Sequence, residues 1–323
     1  MDSNRQFDVT SLGSTMIRLS VPSGERLETA PVYDVRTAGT ESNTMVALAR
    51  MGFRTGWVSR LGDNPLGRRI TREIGYHGVD TSSVIWTEDD RNELFFVEYG
   101  SSPRPIQVLY DRTHSAVSRI RQEEVDTDYL LRSSIVHLTG IFPALSDSCA
   151  AITEHVISAA KSAGVKVSFD VNYRGKLWSP VRAREVLTPL VSRADILIIT
   201  REDAGDVFDI TGAPEEVVAT CHKAFRVELA VLTLGAEGGI AFDGTEYYRC
   251  GGYDVDVVDR LGAGDCFAAG VLCGYLEGSL QTGMNYASAM AALKLGIRGD
   301  YFVSSRAEVE TLMNSGGGRE VGR

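Results

Sequence analysis

From about residue 134 the chain alternates continuous apolar runs with longer stretches of helical period. SIVHLTG (134–140), VKVSFDVN (165–172), DILIIT (195–200) and ELAVLTLG (228–235) are rich in β-branched residues and unbroken by charge, as strands buried on both faces are. Between them, SDSCAAITEHVISAAKSAG offers Ser146 as a cap and closes on Gly164. SPVRAREVLTPLVSRA places Pro180 just inside its start, where the missing N–H costs nothing. Strand, helix, strand at this spacing predicts right-handed crossovers and a mostly parallel sheet with helices on both faces. In such a sheet the ligand sits beyond the carboxyl ends of the strands.

The first third has another rhythm. MIRLSV (16–21), PVYDVR (31–36), ELFFVEYG (93–100) and PIQVLYDR (105–112) are short and β-rich, and the second and fourth alternate polar with apolar positions, predicting a small sheet with one wetted face. Two helical stretches, SNTMVALARMG (42–52) and PLGRRITREIGYHG (65–78), flank a predicted strand TGWVSRLG. The expected architecture is α/β: one domain over 1–323, with a β appendage built from about 15–37 and 92–112, serving as a lid or a dimer surface. The Gly-rich segment 315–323 reads as a disordered tail.

Charge narrows the function. Lys+Arg number 33 against 43 Asp+Glu, a net charge of -10 with the signs scattered, which lacks the basic footprint of a nucleic-acid surface. The five cysteines form no C-x-x-C pair and the five histidines no H-E-x-x-H, so neither a zinc site nor a disulfide framework is expected. No run of about 18 apolar residues and no signal-like start occurs, so a cytoplasmic protein without membrane contact is expected.

Candidate chemistry concentrates in VDVVDRLGAGDCFAAGVLCGYLEG (255–278), read as a β run, then Gly262-Ala263-Gly264-Asp265, then an apolar helix. Glycines at a helix start leave N–H groups aimed outward, an anion site by geometry and dipole. Asp265 there is either a base that takes a proton from an attacking hydroxyl or simply the helix N-cap. LTLGAEGG (232–239) is either a nucleotide cradle or a plain hairpin turn. Ala38 to Asn43 places small and polar residues at a helix start, by itself only capping chemistry. SFDVNYRGKLW (168–178) puts Asp170, Asn172, Tyr173 and Arg174 just past a strand end, where Arg174 is either a fork for a carboxylate or phosphate or a surface cation.

Taken in this order, the residues resemble the ribokinase-like, or PfkB, carbohydrate kinase family across nearly the whole chain, and most specifically over residues 38–70 and VDRLGAGDCFAAG (258–270). VEYG, VLYDRTHSA, VHLTGI and FDVNYRGKLW narrow the likeness to 2-keto-3-deoxygluconate kinases. The resemblance implies a Rossmann-like core with a β-sheet lid and transfer of the ATP γ-phosphoryl group to a primary hydroxyl of a sugar acid. It makes Asp265 the catalytic base and the N–H groups of Gly262, Ala263 and Gly264 the anion hole. Gly39, Tyr99, Tyr110, Arg112 and Arg174 would contact substrate. Asn172, Tyr173 and Arg174, with Thr233, Gly235 and Gly238, would lie on the ATP side. Asp203 would organise Mg²⁺ through water, while Asp259 and the carbonyl of Leu261 fall where relatives hold a monovalent cation such as K⁺. Independently of the resemblance, a small sheet carrying apolar residues such as Phe95, Val97, Ile106 and Val108 needs one face covered, so a homodimer through the lid or a higher homo-oligomer is expected, with the other face closing over substrate.

Four departures bear on this. Arg260 replaces the usual Thr of the second signature, and its charge is expected to stand in for part of the K⁺ charge. Thr200-Arg201-Glu202-Asp203 replaces N-x-x-E, Ala38-Gly39 the opening Gly-Gly, and Ser14 an acidic residue after the first strand. Alternatives are a same-fold kinase for a ketohexose, a sugar phosphate or a nucleoside, and a binding protein whose catalysis has lapsed. Two arginines aimed at the acceptor favour a carboxylate over a neutral ribose.

Overall fold

The computed structural model describes residues 5–100 and 103–315, so most of the tail expected at 315–323 lies outside the described residues. The first half runs β1 (Phe7–Leu12), β2 (Met16–Ser20), β3 (Asp34–Ala38), α1 (Thr40–Arg50), β4 (Thr55–Val58), β5 (Arg60–Gly62), α2 (Pro65–Tyr76), β6 (Ile85–Thr87), β7 (Leu94–Glu98) and β8 (Gln107–Asp111). There follow α3 (Thr127–Leu131), β9 (Ser133–Thr139), α4 (Asp147–Ser162), β10 (Lys166–Asp170), α5 (Pro180–Val191), β11 (Ile196–Thr200), α6 (Arg201–Phe208), α7 (Pro214–Phe225) and β12 (Leu229–Thr233). The chain closes with β13 (Gly239–Phe242), β14 (Tyr247–Cys250), α8 (Ala263–Glu277), α9 (Leu280–Leu295) and α10 (Arg306–Ser315).

The large sheet has the order β14-β13-β12-β11-β10-β9-β1-β4, parallel from β12 to β4 and antiparallel at β13 and β14. Its continuous apolar runs feed two cores. Leu197 and Ile199 of β11 join the cluster under α4, α5 and α7, while Ile196 and Ile198 join the one under α1, α2, α8 and α9. That alternation is the two-residue period of a strand covered on both faces, each such side chain stabilising the fold by about 1.5–3 kcal/mol. The cap expected at Ser146 forms, its Oγ accepting the Cys149 N–H; Pro180 stands at the start of α5 as expected, and the preceding Ser179 Oγ caps that helix by accepting the Arg182 N–H. No helix of the described residues is long and apolar enough to cross a membrane.

The second sheet, β3-β2-β7-β8, arises from the two predicted insertions and is antiparallel except for the parallel β2–β7 pair. Met16, Ala38, Phe95 and Val97 form its buried face, with Tyr99, Val108, Tyr110 and Leu261 packed against them.

Two sequence expectations are corrected. The β run at 255–258 is not a strand: its N–H groups turn to a helix end, Val258 and Asp259 both donating to the Leu295 carbonyl, and Val257 and Val258 are exposed. TGWVSRLG is two strands, because β4 pairs with β1 while β5 leaves the large sheet to pair with β6.

Candidate active site

The N-termini of α1 and α8 meet head to head beneath the lid. Gly262 is the N-cap of α8, with φ 88°, and a Cβ there would stand 2.2 Å from the Asp300 carbonyl oxygen, so both conformation and space require glycine. Gly39 is the N-cap of α1 in extended conformation, and its need is close approach: a Cβ would meet the Ser14 carbonyl oxygen at 2.0 Å.

Asp265 is the third residue of α8, not its cap. Its carboxylate turns away from its own helix and accepts hydrogen bonds from the first turn of α1, from Thr40 Oγ1 and from Asn43 Nδ2 at 2.6 Å. Burial pushes the Asp265 carboxyl above its ordinary value, opposed by those hydrogen bonds and by the charges of Arg174 and Lys294. A fixed carboxylate of raised basicity beside outward-aimed helix N–H groups can remove a proton from a hydroxyl while the amides hold an anion.

A cavity of about 760 Å³ opens between lid and core. Gly39, Tyr110, Arg112, Arg174, Gly262 and Asp265 all line it, together with Leu261. Arg112 is buried and held by Glu93 and Ser14, both at 3.2 Å, so the serine at the acidic residue's place helps orient a cation instead. The Arg174 guanidinium forms no ion pair or hydrogen bond among the described residues, and the residue is exposed on the cavity wall. Lys176, lying over the Tyr110 ring, adds a third positive group that the sequence reading did not single out.

Tyr99 is not brought to the cavity wall. Its hydroxyl donates to Asp259 Oδ2 at 2.9 Å and accepts from Arg18, which fixes it in a buried network behind the site.

Along the neighbouring strand ends, β10, β11 and β12 lie side by side, with Thr200 in register with Thr233. Asn172, with φ 40°, donates to Thr40 Oγ1 at 3.0 Å and to Asp170, and its Oδ1 is buried without a partner among the described residues. The Tyr173 N–H donates to Asp203 Oδ2 at 3.1 Å. Asp203 is held at the start of α6, its N–H donated to Thr200 Oγ1. Burial raises its pKa to about 6. Asp170 is pushed up to about 7 by burial and then by the charges of Asp265 and Asp203. Three carboxylates that resist ionising together, beside an orphaned amide oxygen, suit a hydrated divalent cation arriving with a polyanion. Thr233, Gly235 and Gly238 do form a hairpin turn, closed by Leu234 N–H to the Gly238 carbonyl, and lie outside the cavity wall.

The residues at Asp259 do not fit a dissolved monovalent cation. Asp259 is buried, its carboxylate paired with Arg18 at 2.6 Å, and its carbonyl takes the Lys294 ammonium at 3.0 Å. Arg260, expected to supply the charge, is exposed; Arg18 and Lys294 supply it from within. Arg18 and Lys294 had a sequence signal: each is the lone charged residue of its element, β2 and α9. Thr40, Asn43 and the buried Glu41, whose Oε1 accepts from Thr139 at 2.6 Å, were legible only as capping residues.

Relatives with known names are similar to this chain over nearly its whole length. The chain is 38% identical over 310 residues to a Haloferax volcanii protein named 2-dehydro-3-deoxygalactonokinase, covering 96% of this chain and 97% of that one. It is 33% identical to a 2-dehydro-3-deoxygluconokinase of Bacillus subtilis, covering 91% of each. The crystal structure of a 2-dehydro-3-deoxygluconokinase from Thermotoga maritima superposes with a TM-score of 0.91 at 32% identity, over 95% of this chain and 98% of that one. The pfkB family carbohydrate kinase profile matches residues 6–306, and with the glycine-started helix, the aspartate at its third position and the β lid over the cavity, the chain belongs to that family of carbohydrate kinases.

Proposed function

We propose that this kinase transfers the γ-phosphoryl group of ATP to the primary hydroxyl of a 2-keto-3-deoxy sugar acid, 2-keto-3-deoxygluconate first. The observation that carries the reading is a cavity whose wall brings Arg112, Arg174 and Lys176 together with the buried carboxylate of Asp265. Guanidinium groups bind a carboxylate in a two-pronged fork, and a neutral sugar gives them nothing to neutralise. The names of the relatives support the substrate class, and the Haloferax relative favours a second reading, the C4 epimer 2-keto-3-deoxygalactonate.

In this mechanism Arg112 and Arg174 hold the acid end, and Gly39 allows the substrate to approach the α1 backbone. Tyr110 closes one wall. Asp265 takes the proton from the attacking hydroxyl, held in orientation by Thr40 and Asn43. The N–H groups at the start of α8 receive the charge that develops on the transferred group, which preorganised donors stabilise without reorganisation. Mg²⁺, when bound with the nucleotide, neutralises β- and γ-phosphate charge, and Asp203 with Asp170 would hold its water. Asn172, Tyr173 and the 233–238 turn border the nucleotide. The segments 15–37 and 92–112 act as lid, and its exposed Val32, Ile106 and Leu109 are the proposed contact in a homodimer. A cytoplasmic location follows from the substrates.

A coupled ADP-release assay over sugar acids, their neutral alditols, ketohexoses and nucleosides tests the reading. A preference in kcat/KM for 2-keto-3-deoxy acids is expected. Preference for a ketohexose or nucleoside overturns the substrate class, and no turnover with any acceptor supports a lapsed binding protein.

A further inference from the structure

Behind the loop that starts α8 lies a buried cluster of four charges. Lys294 is the only charged residue of α9 and is 0% exposed. Its ammonium donates to two backbone carbonyls, of Asp259 at 3.0 Å and of Ile297 at 3.2 Å. Arg18, also 0% exposed, reaches from lid strand β2 to pair with the carboxylates of both Asp259 and Asp300. Asp259 also takes the N–H groups of Leu261 and Gly299 at 3.2 and 3.1 Å, and the Asp300 carbonyl is the atom against which Gly262 packs. Two cations face two carboxylates, so the cluster is neutral as a whole.

Burying an ammonium costs several kcal/mol unless its partners replace its water. The partners here are carbonyl oxygens with carboxylates behind them, the donor set that also strips water from a potassium ion. Burial lowers the Lys294 pKa, and the charges of Asp259 and Asp300 oppose that.

We propose that Lys294 is a built-in monovalent cation: its ammonium fills the oxygen-lined position beneath residues 259–262 and, with Arg18, fixes the anion-binding N–H groups without a dissolved ion. Lys294 is thus a positioning residue that acts through the carbonyls of Asp259 and Ile297, while Arg18 ties that loop to the lid. An enzyme built this way is indifferent to K⁺, and deleting the ammonium creates a vacancy that an ion of similar size can fill.

The test uses the full chain in potassium, ammonium, sodium and tetramethylammonium chlorides at equal ionic strength, reading melting temperature and turnover. It rests on the kinase reading for turnover alone; melting needs no substrate, so a wrong acceptor leaves that arm intact. Wild type is expected to melt and turn over alike in all four salts. Lys294→Ala in tetramethylammonium should lose about tenfold or more in kcat, with KM less affected, and melt lower. K⁺ or NH₄⁺ should then raise both readings, an ion-specific recovery that loss of packing alone does not produce. Activation of wild type by K⁺ of about tenfold overturns the proposal. So does a folded Lys294→Ala that equals wild type in tetramethylammonium or gains nothing from K⁺ and NH₄⁺. Should Lys294→Ala fail to fold, the salt response of wild type decides the matter alone.

Discussion

Replacing Asp265 by Asn separates chemistry from stability. The substitution keeps the side chain's shape but removes its charge and turns one acceptor into a donor. Thr40 and Asn43 both donate to this carboxylate, so one of them must then face an NH₂ group. Leaving one buried donor unmet costs about 1–3 kcal/mol. Against this, the substitution relieves the burial of a charge, the largest cause of the raised Asp265 pKa. The two effects are opposite in sign, so the melting temperature should move by only a few degrees, at about 2–4 °C per kcal/mol. Loss of a general base costs roughly 10²–10⁴ in rate, or about 2.7–5.4 kcal/mol of transition-state stabilisation. The assay is kcat by coupled ADP release, with calorimetric titration of ATP showing that nucleotide binding survives. A variant within about threefold of wild-type kcat would remove Asp265 from proton transfer.

Arg112→Lys and Arg174→Lys should each raise KM for the sugar acid more than they lower kcat, because an ammonium cannot reproduce the fork; equal affinity of wild type for the acid and its neutral alditol sinks the clamp. Glu41 is fully buried and its pKa is raised from 4.5 to about 7, chiefly by burial. The native state therefore holds this proton more tightly than the unfolded chain, and the contribution is complete below pH 4.5 and lost as pH rises through about 7. Denaturant titrations at about pH 5 and about pH 8 should show Glu41→Gln losing less stability than wild type over that interval, by up to about 3 kcal/mol; an unchanged difference refutes it. Gly262→Ala should destabilise and inactivate together, since its Cβ would sit 2.2 Å from the Asp300 carbonyl oxygen; retained activity would show that the anion-hole loop tolerates displacement. Sedimentation at micromolar concentration should give a dimer that Leu109→Asp dissociates, and a wild-type monomer counts against the lid contact.

What the chain's order alone determined is what depends on neighbours in sequence. The apolar runs of β9 to β12, the cap Ser146, Pro180 at the start of α5 and the glycine start of α8 follow from periodicity, turn chemistry and hydrogen bonding over a few residues. Even Asp265 stood out locally, as a carboxylate beside glycines at a helix start, a position whose outward N–H groups suit an anion. The sequence was misleading at 255–258, where strand-like composition lacks a neighbouring strand and the N–H groups find a helix end instead. Tertiary structure alone decided what faces what. Thr40 meets Asp265 across 225 positions, and Arg18 meets Asp300 across 282. No local pattern encodes such pairings, because they depend on where separate elements are packed. The same cause turned the expected cation site inside out: Arg260 is adjacent to Asp259 in sequence yet points to solvent, whereas Arg18 and Lys294, remote in sequence, reach Asp259 through the core, where unpaired charge is costly and every ion must find its partner.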